Sequence, residues 1–247
     1  METLRTARRG VDPEDYKWFG EKVLTKLKTA HEEVEWLLSR GYKISPVIEL
    51  VGGRYQLSSR QRLALQRGTA SKVQREKREG SELFLYDLEG SKLFIDGFNL
   101  IITLEVALSG GVLILGNDGA LRDLAGLRGT YSIIDKTDKA IDLIGESFKY
   151  LNIAEAVFYL DSPVSNSGRL KSAIIEKSRN WNTKVEVELV PNADPILYKA
   201  EKVVTSDSAI LDECESWFNL SKFIVRTYIK DAWIVDFISM NPTEKTH

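Results

Sequence analysis

From Lys92 onward the chain repeats one pattern, in which a short run of apolar and β-branched residues gives way to a longer stretch of helical periodicity and then to another run. The runs read as buried strands at "KLFID" (92–96), "GVLILG" (111–116), "TYSIID" (130–135), "AVFYLD" (156–161), "KVEVELV" (184–190), "KVVTSD" (202–207) and "KFIVR" (222–226). Helices are expected between them at 100–109, 137–152, 167–180, 193–200 and 208–216. Strands bridged by helices pair in parallel, because a parallel pair needs a crossover long enough to hold a helix. The expected fold class of this part is therefore α/β with a mainly parallel sheet.

The first 80 residues have a different texture. Trp18, Phe19, Val23, Leu24, Leu27, Val34, Leu37 and Leu38 recur at helical spacing, which predicts one helix from Asp12 to about Arg40, with Asp12–Pro13 at its start and Gly41 as its stop. A short helix is expected in "SPVIELVG", and another from the cap Ser58 or Ser59 through "RQRLALQRGTASKVQREKRE". This gives an all-helical unit at 1–85 and an α/β domain at 86–247.

Charge follows the same division. Residues 1–80 hold 17 Lys and Arg against 11 Asp and Glu, so a basic part precedes an acidic one although the whole chain is at −2. Most of the excess lies between Arg54 and Arg78, a cluster that suits a polyanion or serves as a solvated helical face. Cys214 is the single cysteine and His31 and His247 the two histidines, which excludes a disulfide framework and a Cys/His zinc site. No apolar run is long enough to span a membrane, and no signal-type apolar stretch is evident near Met1, so a cytoplasmic protein is expected.

The strands place acidic residues at matching points. Asp96, Asp161 and Asp207 each end a run, and Asp194 follows another at the start of a helix. In an open α/β sheet the functional crevice lies beyond the carboxyl ends of the strands, so these four are expected to converge. One aspartate there is ordinary helix capping. Four clustered carboxylates repel one another unless a cation sits among them, and with no sulfur or imidazole at hand Mg²⁺ or Mn²⁺ is the natural filler. The segment "DSPVSNSGRLK" offers Ser165, Asn166, Ser167, Arg169 and Lys171 around a helix start, either as a phosphate cradle or as simple capping. Asp118, Arg122 and Asp123 form a loop that reaches the site or caps its own turn.

"FIDGFNLI", "YLD", "NADPIL" and "VVTSDSAILD" together resemble the PIN and NYN superfamily of nucleases, over about Lys92 to Val235. The whole chain resembles a mostly archaeal group that joins a small helical domain to a PIN-like one. The resemblance implies a PIN-like three-layer sandwich and a metal-dependent nuclease cleaving RNA or, less often, DNA. It also implies that Asp96, Asp161, Asp194 and Asp207 bind the metal, that Asn99 orients water or phosphate, and that Ser206 and Asp212 lie at the edge of the site. A homo-oligomer is in keeping with it, since dimers are common among PIN-like proteins. The basic unit is expected to hold nucleic acid through Arg54, Arg60, Arg62 and Arg67. Replacing Arg60, Arg62 and Arg67 with glutamate is then expected to weaken binding without unfolding the chain. A Walker-type NTPase is excluded by the missing phosphate loop, and covalent phosphoryl transfer is disfavoured by Phe98 where a second acid is needed. The rival reading is a PIN-like module without turnover that binds RNA or acts as a scaffold.

Overall fold

The computed structural model describes residues 7–126 and 129–239. His247 and the first six residues of the stretch read for a signal lie outside them. The N-terminal part is helical: α1 (Asp15–Phe19), α2 (Glu21–Leu38), α3 (Ile44–Arg54), α4 (Ser59–Gly68) and α5 (Lys72–Ser81). Two of the expected helices are split. The first breaks at Gly20, whose extended backbone leaves no room for a Cβ, which would lie 2.6 Å from the Tyr16 carbonyl. The last breaks at Thr69–Ser71, where the Asn117 side chain takes the Ala70 N–H at 2.8 Å and its amide reaches the Ala70 carbonyl at 3.0 Å. Each half has its own capping box, Ser58 with Gln61 and Ser71 with Gln74. Gly41 does lie in the left-handed conformation (φ +84) just beyond α2.

After a 3₁₀ turn at Leu85–Asp87 come β1 (Lys92–Asp96), α6 (Gly97–Leu108), β2 (Leu113–Leu115), β3 (Leu121–Asp123), α7 (Thr137–Tyr150), β4 (Glu155–Asp161) and α8 (Ser167–Ser178). They are followed by β5 (Lys184–Val190), α9 (Asp194–Leu197), β6 (Val203–Val204), α10 (Ser208–Glu213), α11 (Leu220–Tyr228) and β7 (Ile234–Asp236). β5, β4, β1 and β6 form, in that order, a fully parallel sheet. Alternation along β4 buries both faces: Ala156, Phe158 and Leu160 join the core under α6, α7 and α8, while Val157 and Tyr159 join a second core with Leu197, Ile210 and Trp217.

The remaining strands form a separate sheet, β3-β2-β7, antiparallel at β2–β3 and parallel at β2–β7. Its Ile114 and Val235, with Leu124 and Phe237 just beyond β3 and β7, pack into the core of the helical part beside Leu27, Val34 and Leu65. Two strand expectations need correction, and two short strands were not expected. "TYSIID" is not a strand, because the Tyr131 backbone is taken by side chains: its N–H donates to Ser165 Oγ at 2.9 Å and its carbonyl accepts from Ser165 and Asn166. "KFIVR" lies inside α11, where Leu220, Ile224 and Val225 sit on one buried helical face. β3 and β7 are strands of only three residues each, too short for periodicity to register. Among the described residues no helix is long and apolar enough to cross a membrane.

Candidate functional site

Parallel pairing brings the carboxyl ends of β5, β4, β1 and β6 to one edge. Asp96 ends β1, Asp161 ends β4, Asp194 opens α9 just past β5, and Asp207 caps α10 just past β6. The chain runs from β1 to β4 and β5 on one side and returns to β6 on the other, so Asp96 and Asp207 flank the point where strand order reverses. That is where open α/β sheets hold ligands.

Asp96 is the buried member. Its Oδ1 caps α6 by accepting the Asn99 N–H at 3.4 Å, and its Oδ2 accepts the Thr205 hydroxyl at 2.9 Å. Thr205 Oγ1 in turn accepts the Asp207 N–H at 3.0 Å, so the two aspartates are linked through one hydroxyl. Burial pushes the Asp96 carboxyl up to about 7; the Thr205 and Asn99 hydrogen bonds oppose this, and the charges of Asp207 and Asp194 add to it. Asp194 is raised as well, by burial and then by Asp207 and Asp161. Asp96 and Asp194 are thus each raised in part by neighbouring carboxylates. Asp207 Oδ1 accepts the Ala209 N–H at 2.8 Å, and Asp161 Oδ1 accepts the Ala193 N–H at 2.8 Å, each bond fixing the side chain that makes it.

Gly97 sets how closely this edge packs. A Cβ there would lie 2.6 Å from Leu160 Cδ2 and 3.0 Å from the Tyr159 carbonyl, so only glycine lets α6 start against β4. Asn99 Oδ1 accepts both the Ser206 N–H and the Ser206 hydroxyl at 2.9 Å, tying the α6 start to the turn that carries Asp207.

Carboxylates, hydroxyls and amides are the donors at this edge, which suits a hard oxygen-preferring cation. Among the described residues, however, no three acidic, histidine or cysteine side chains stand close enough to form a ready metal cage. A divalent cation bound here would be held by one or two carboxylates, with water filling its other positions.

Other expected residues fare differently. Ser165 and Asn166 are spent on Tyr131, and the Ser167 hydroxyl donates to the Ser162 carbonyl at 3.4 Å, so they fasten a loop rather than open a phosphate cradle. Arg169 and Lys171 stand in the first turn of α8, which follows β4 at the same edge. The arginine run is largely engaged within the protein. Arg60 pairs with buried Asp15 at 2.6 Å and donates to the Gly10 and Leu124 carbonyls. Arg62 pairs with Glu49 at 2.8 Å, and Arg67 meets Asp123 at 3.4 Å. Arg54 is the exposed one, 3.5 Å from Glu33. Arg60, Arg62 and Arg67, expected to hold nucleic acid, thus each have an acidic partner within the protein, and only the Arg60–Asp15 pair is largely buried. Asp118 is gripped by Arg122 and Arg78, which outweigh its burial and hold it well below the usual carboxylate range. Asp123 is taken by Thr103, Ala125 and Arg67, and Asp212 by Gln74 and Arg78. Thr205 is the residue at the centre of the site that sequence reasoning passed over; its place two residues before Asp207 was the available signal.

A family model described as "Domain of unknown function (DUF5616)" matches residues 85–223, a span that contains the four aspartates, Thr205 and Arg122. The chain belongs to this family. A second model, "Protein of unknown function (DUF434)", matches residues 26–80, which include Arg78. The chain is 38% identical over 185 residues to the "Uncharacterized protein MJ0935" of Methanocaldococcus jannaschii, a match covering 75% of this chain and 88% of that relative. No solved structure matches it.

Proposed function

We propose that the chain is a metal-dependent nuclease that hydrolyses phosphodiester bonds, with RNA as the preferred substrate over DNA, built on a PIN-like α/β domain. The observation that carries this reading is the convergence of Asp96, Asp161, Asp194 and Asp207 on one sheet edge, with Asp96 buried and its ionisation opposed by Asp207 and Asp194. A carboxyl held away from its ordinary charge state by burial and then by neighbouring carboxylates, at a topological switch point, supports reading this edge as a functional site.

In this reading Asp96 and Asp207, joined through Thr205, are the inner pair, while Asp161 and Asp194 flank them. Bound Mg²⁺ or Mn²⁺ would supply an acidic water near neutral pH and neutralise charge on the transferring phosphate. The protein's own part is to hold the carboxylates in fixed directions by their capping bonds and to present the Asn99 amide and the Arg169–Lys171 turn to the substrate. A cytoplasmic location and a homo-oligomeric state are compatible with this reading.

The test uses purified full-length protein with Mn²⁺ or Mg²⁺ and mixed RNA or single-stranded DNA, beside a variant carrying Asp96→Asn and Asp207→Asn. Metal-dependent cleavage by the wild type alone supports the proposal. Equal cleavage by both proteins points to contamination, and cleavage by neither, with RNA still bound, favours a module without turnover.

A further inference from the structure

We propose that Arg122 and Arg78 are positioning residues for Asp207, so that helix α5 of the N-terminal part completes the carboxylate site. This rests on the reading of that site given above. Asp207 sits in a short turn, and the carbonyls on both sides of it are held by buried guanidinium groups. Arg122 Nε donates to the Ser206 carbonyl at 2.8 Å, and Arg78 Nη2 donates to the Ser208 carbonyl at 3.2 Å. Both arginines also grip Asp118: Arg122 by two bonds at 2.8 and 2.7 Å, Arg78 by one at 2.6 Å. The Arg122 fork reaches the Ser208 hydroxyl at 3.3 Å as well.

The cluster spans three separate stretches of chain. Arg78 comes from α5, Asp118 and Arg122 from the β2–β3 hairpin, and the held carbonyls from Ser206, just before α10, and Ser208, its first residue. Arg78 Nε continues to Asp212 Oδ1 at 2.8 Å, Gln74 Nε2 takes Asp212 Oδ2 at 2.9 Å, and Lys77 Nζ donates to the Asp212 carbonyl, so α5 holds α10 along its length. Two guanidiniums and two carboxylates balance in charge, and the side chains of Arg78, Asp118 and Arg122 are at most 3% exposed.

Stability alone does not call for such a cluster. Apolar side chains of similar volume stabilise a buried contact as well or better, because they avoid desolvating charge. What the guanidiniums add is direction: rigid N–H donors aimed at two particular carbonyls. Asp207 lies between those carbonyls, and Asn99 holds Ser206 from the other side. The turn is therefore fixed from the N-terminal helices, the hairpin and α6 together. Of the basic Arg54–Arg78 segment, Lys77 and Arg78 are the two residues that reach this turn and α10.

The experiment compares full-length wild type with Arg122→Lys, which keeps the charge and loses the fork, and with Arg78→Lys, which loosens the same turn from α5. Arg9→Lys, at the buried pair Arg9–Glu105 (2.5 Å), is the control for general destabilisation. Amide hydrogen exchange is read for Ala209 and Ile210, which Asp207 caps, against the amides of β4. In both site variants exchange of the two capped amides is expected to rise ~10-fold or more with β4 unchanged, the mark of local opening. Mn²⁺ affinity by calorimetry is expected to fall ~10-fold, as when an outer partner of a metal ligand is removed. Arg9→Lys lowers the melting temperature without either effect. Unchanged exchange at the turn in both variants, or an equal rise throughout the protein, overturns the proposal and leaves the arginines as structural only. If wild type and Asp207→Asn bind Mn²⁺ equally, the metal reading fails, and the exchange comparison still decides whether the turn is held as described.

Discussion

Asp96→Asn is expected to make the protein more stable at neutral and alkaline pH in the presence of a chelator. The folded chain raises the Asp96 carboxyl from 3.8 to about 7, so the folded state binds a proton that the unfolded state has already released. The sign follows from linkage: the contribution of Asp96 is fully present below pH 3.8 and is lost as pH rises through 7. That difference is worth ~4 kcal/mol at full ionisation, at about 1.4 kcal/mol per pH unit. Asparagine keeps an oxygen for the Asn99 N–H but offers an amide where the Thr205 hydroxyl donates, which costs back ~1 kcal/mol. The net gain of ~2–3 kcal/mol corresponds to roughly 5–10 °C in melting temperature for a chain of this size. Thermal unfolding of both proteins from pH 4 to pH 9 with EDTA should show the gap opening between pH 4 and 7 and then levelling. Added Mn²⁺ should raise the melting temperature of the wild type at pH 8 and leave the variant nearly unmoved. A gap that is constant with pH, or that closes as pH rises, would refute the reasoning, because Asp96 would then not be a buried carboxylate opposed by its neighbours.

Four further outcomes are expected. Gly97→Ala should destabilise the chain by ~1–3 kcal/mol, because the new methyl meets Leu160 and the Tyr159 carbonyl, and urea unfolding measures it. Arg60→Glu should cost ~3–5 kcal/mol by leaving Asp15 buried beside a like charge, so chemical denaturation will register it whatever happens to nucleic-acid binding. Asn99→Ala should cost ~1–3 kcal/mol and loosen Ser206, which loses both of its bonds to the amide oxygen; loss of stability without faster exchange at Ser206 would contradict the assignment. His31 is buried against Phe237 with both ring nitrogens unpartnered among the described residues, and burial followed by Arg75 lowers it to about 4. Its neutral form therefore favours folding above pH 6.5, and ~3 kcal/mol is lost as pH falls toward 4, a loss that His31→Leu should remove from the acid unfolding profile.

Local sequence determined the strands that end in Asp96 and Asp161 and the strand that precedes Asp194. β1, β4 and β5 are runs of five or seven residues, long enough for β-branched composition and flanking turns to identify them. Asp96, Asp161, Asp194 and Asp207 could be placed at strand ends because a parallel sheet with helical crossovers puts those ends on one side. The capping role of Asp96 and Asp207 was equally legible, since Asp before a helix accepts its free N–H groups. Tertiary structure decided what distance along the chain hides. Whether Arg60 or Arg78 faces solvent depends on Asp15 and Asp118, which lie 45 and 40 residues away, and a local charge count contains no such information. The same holds for "TYSIID", whose strand-like composition lost its backbone to Ser165 and Asn166. Composition sets what a segment can do alone, and the burial of charge is set by which segments meet. The aspartates could therefore be found from the sequence, while the arginines that hold one of them in place required the fold.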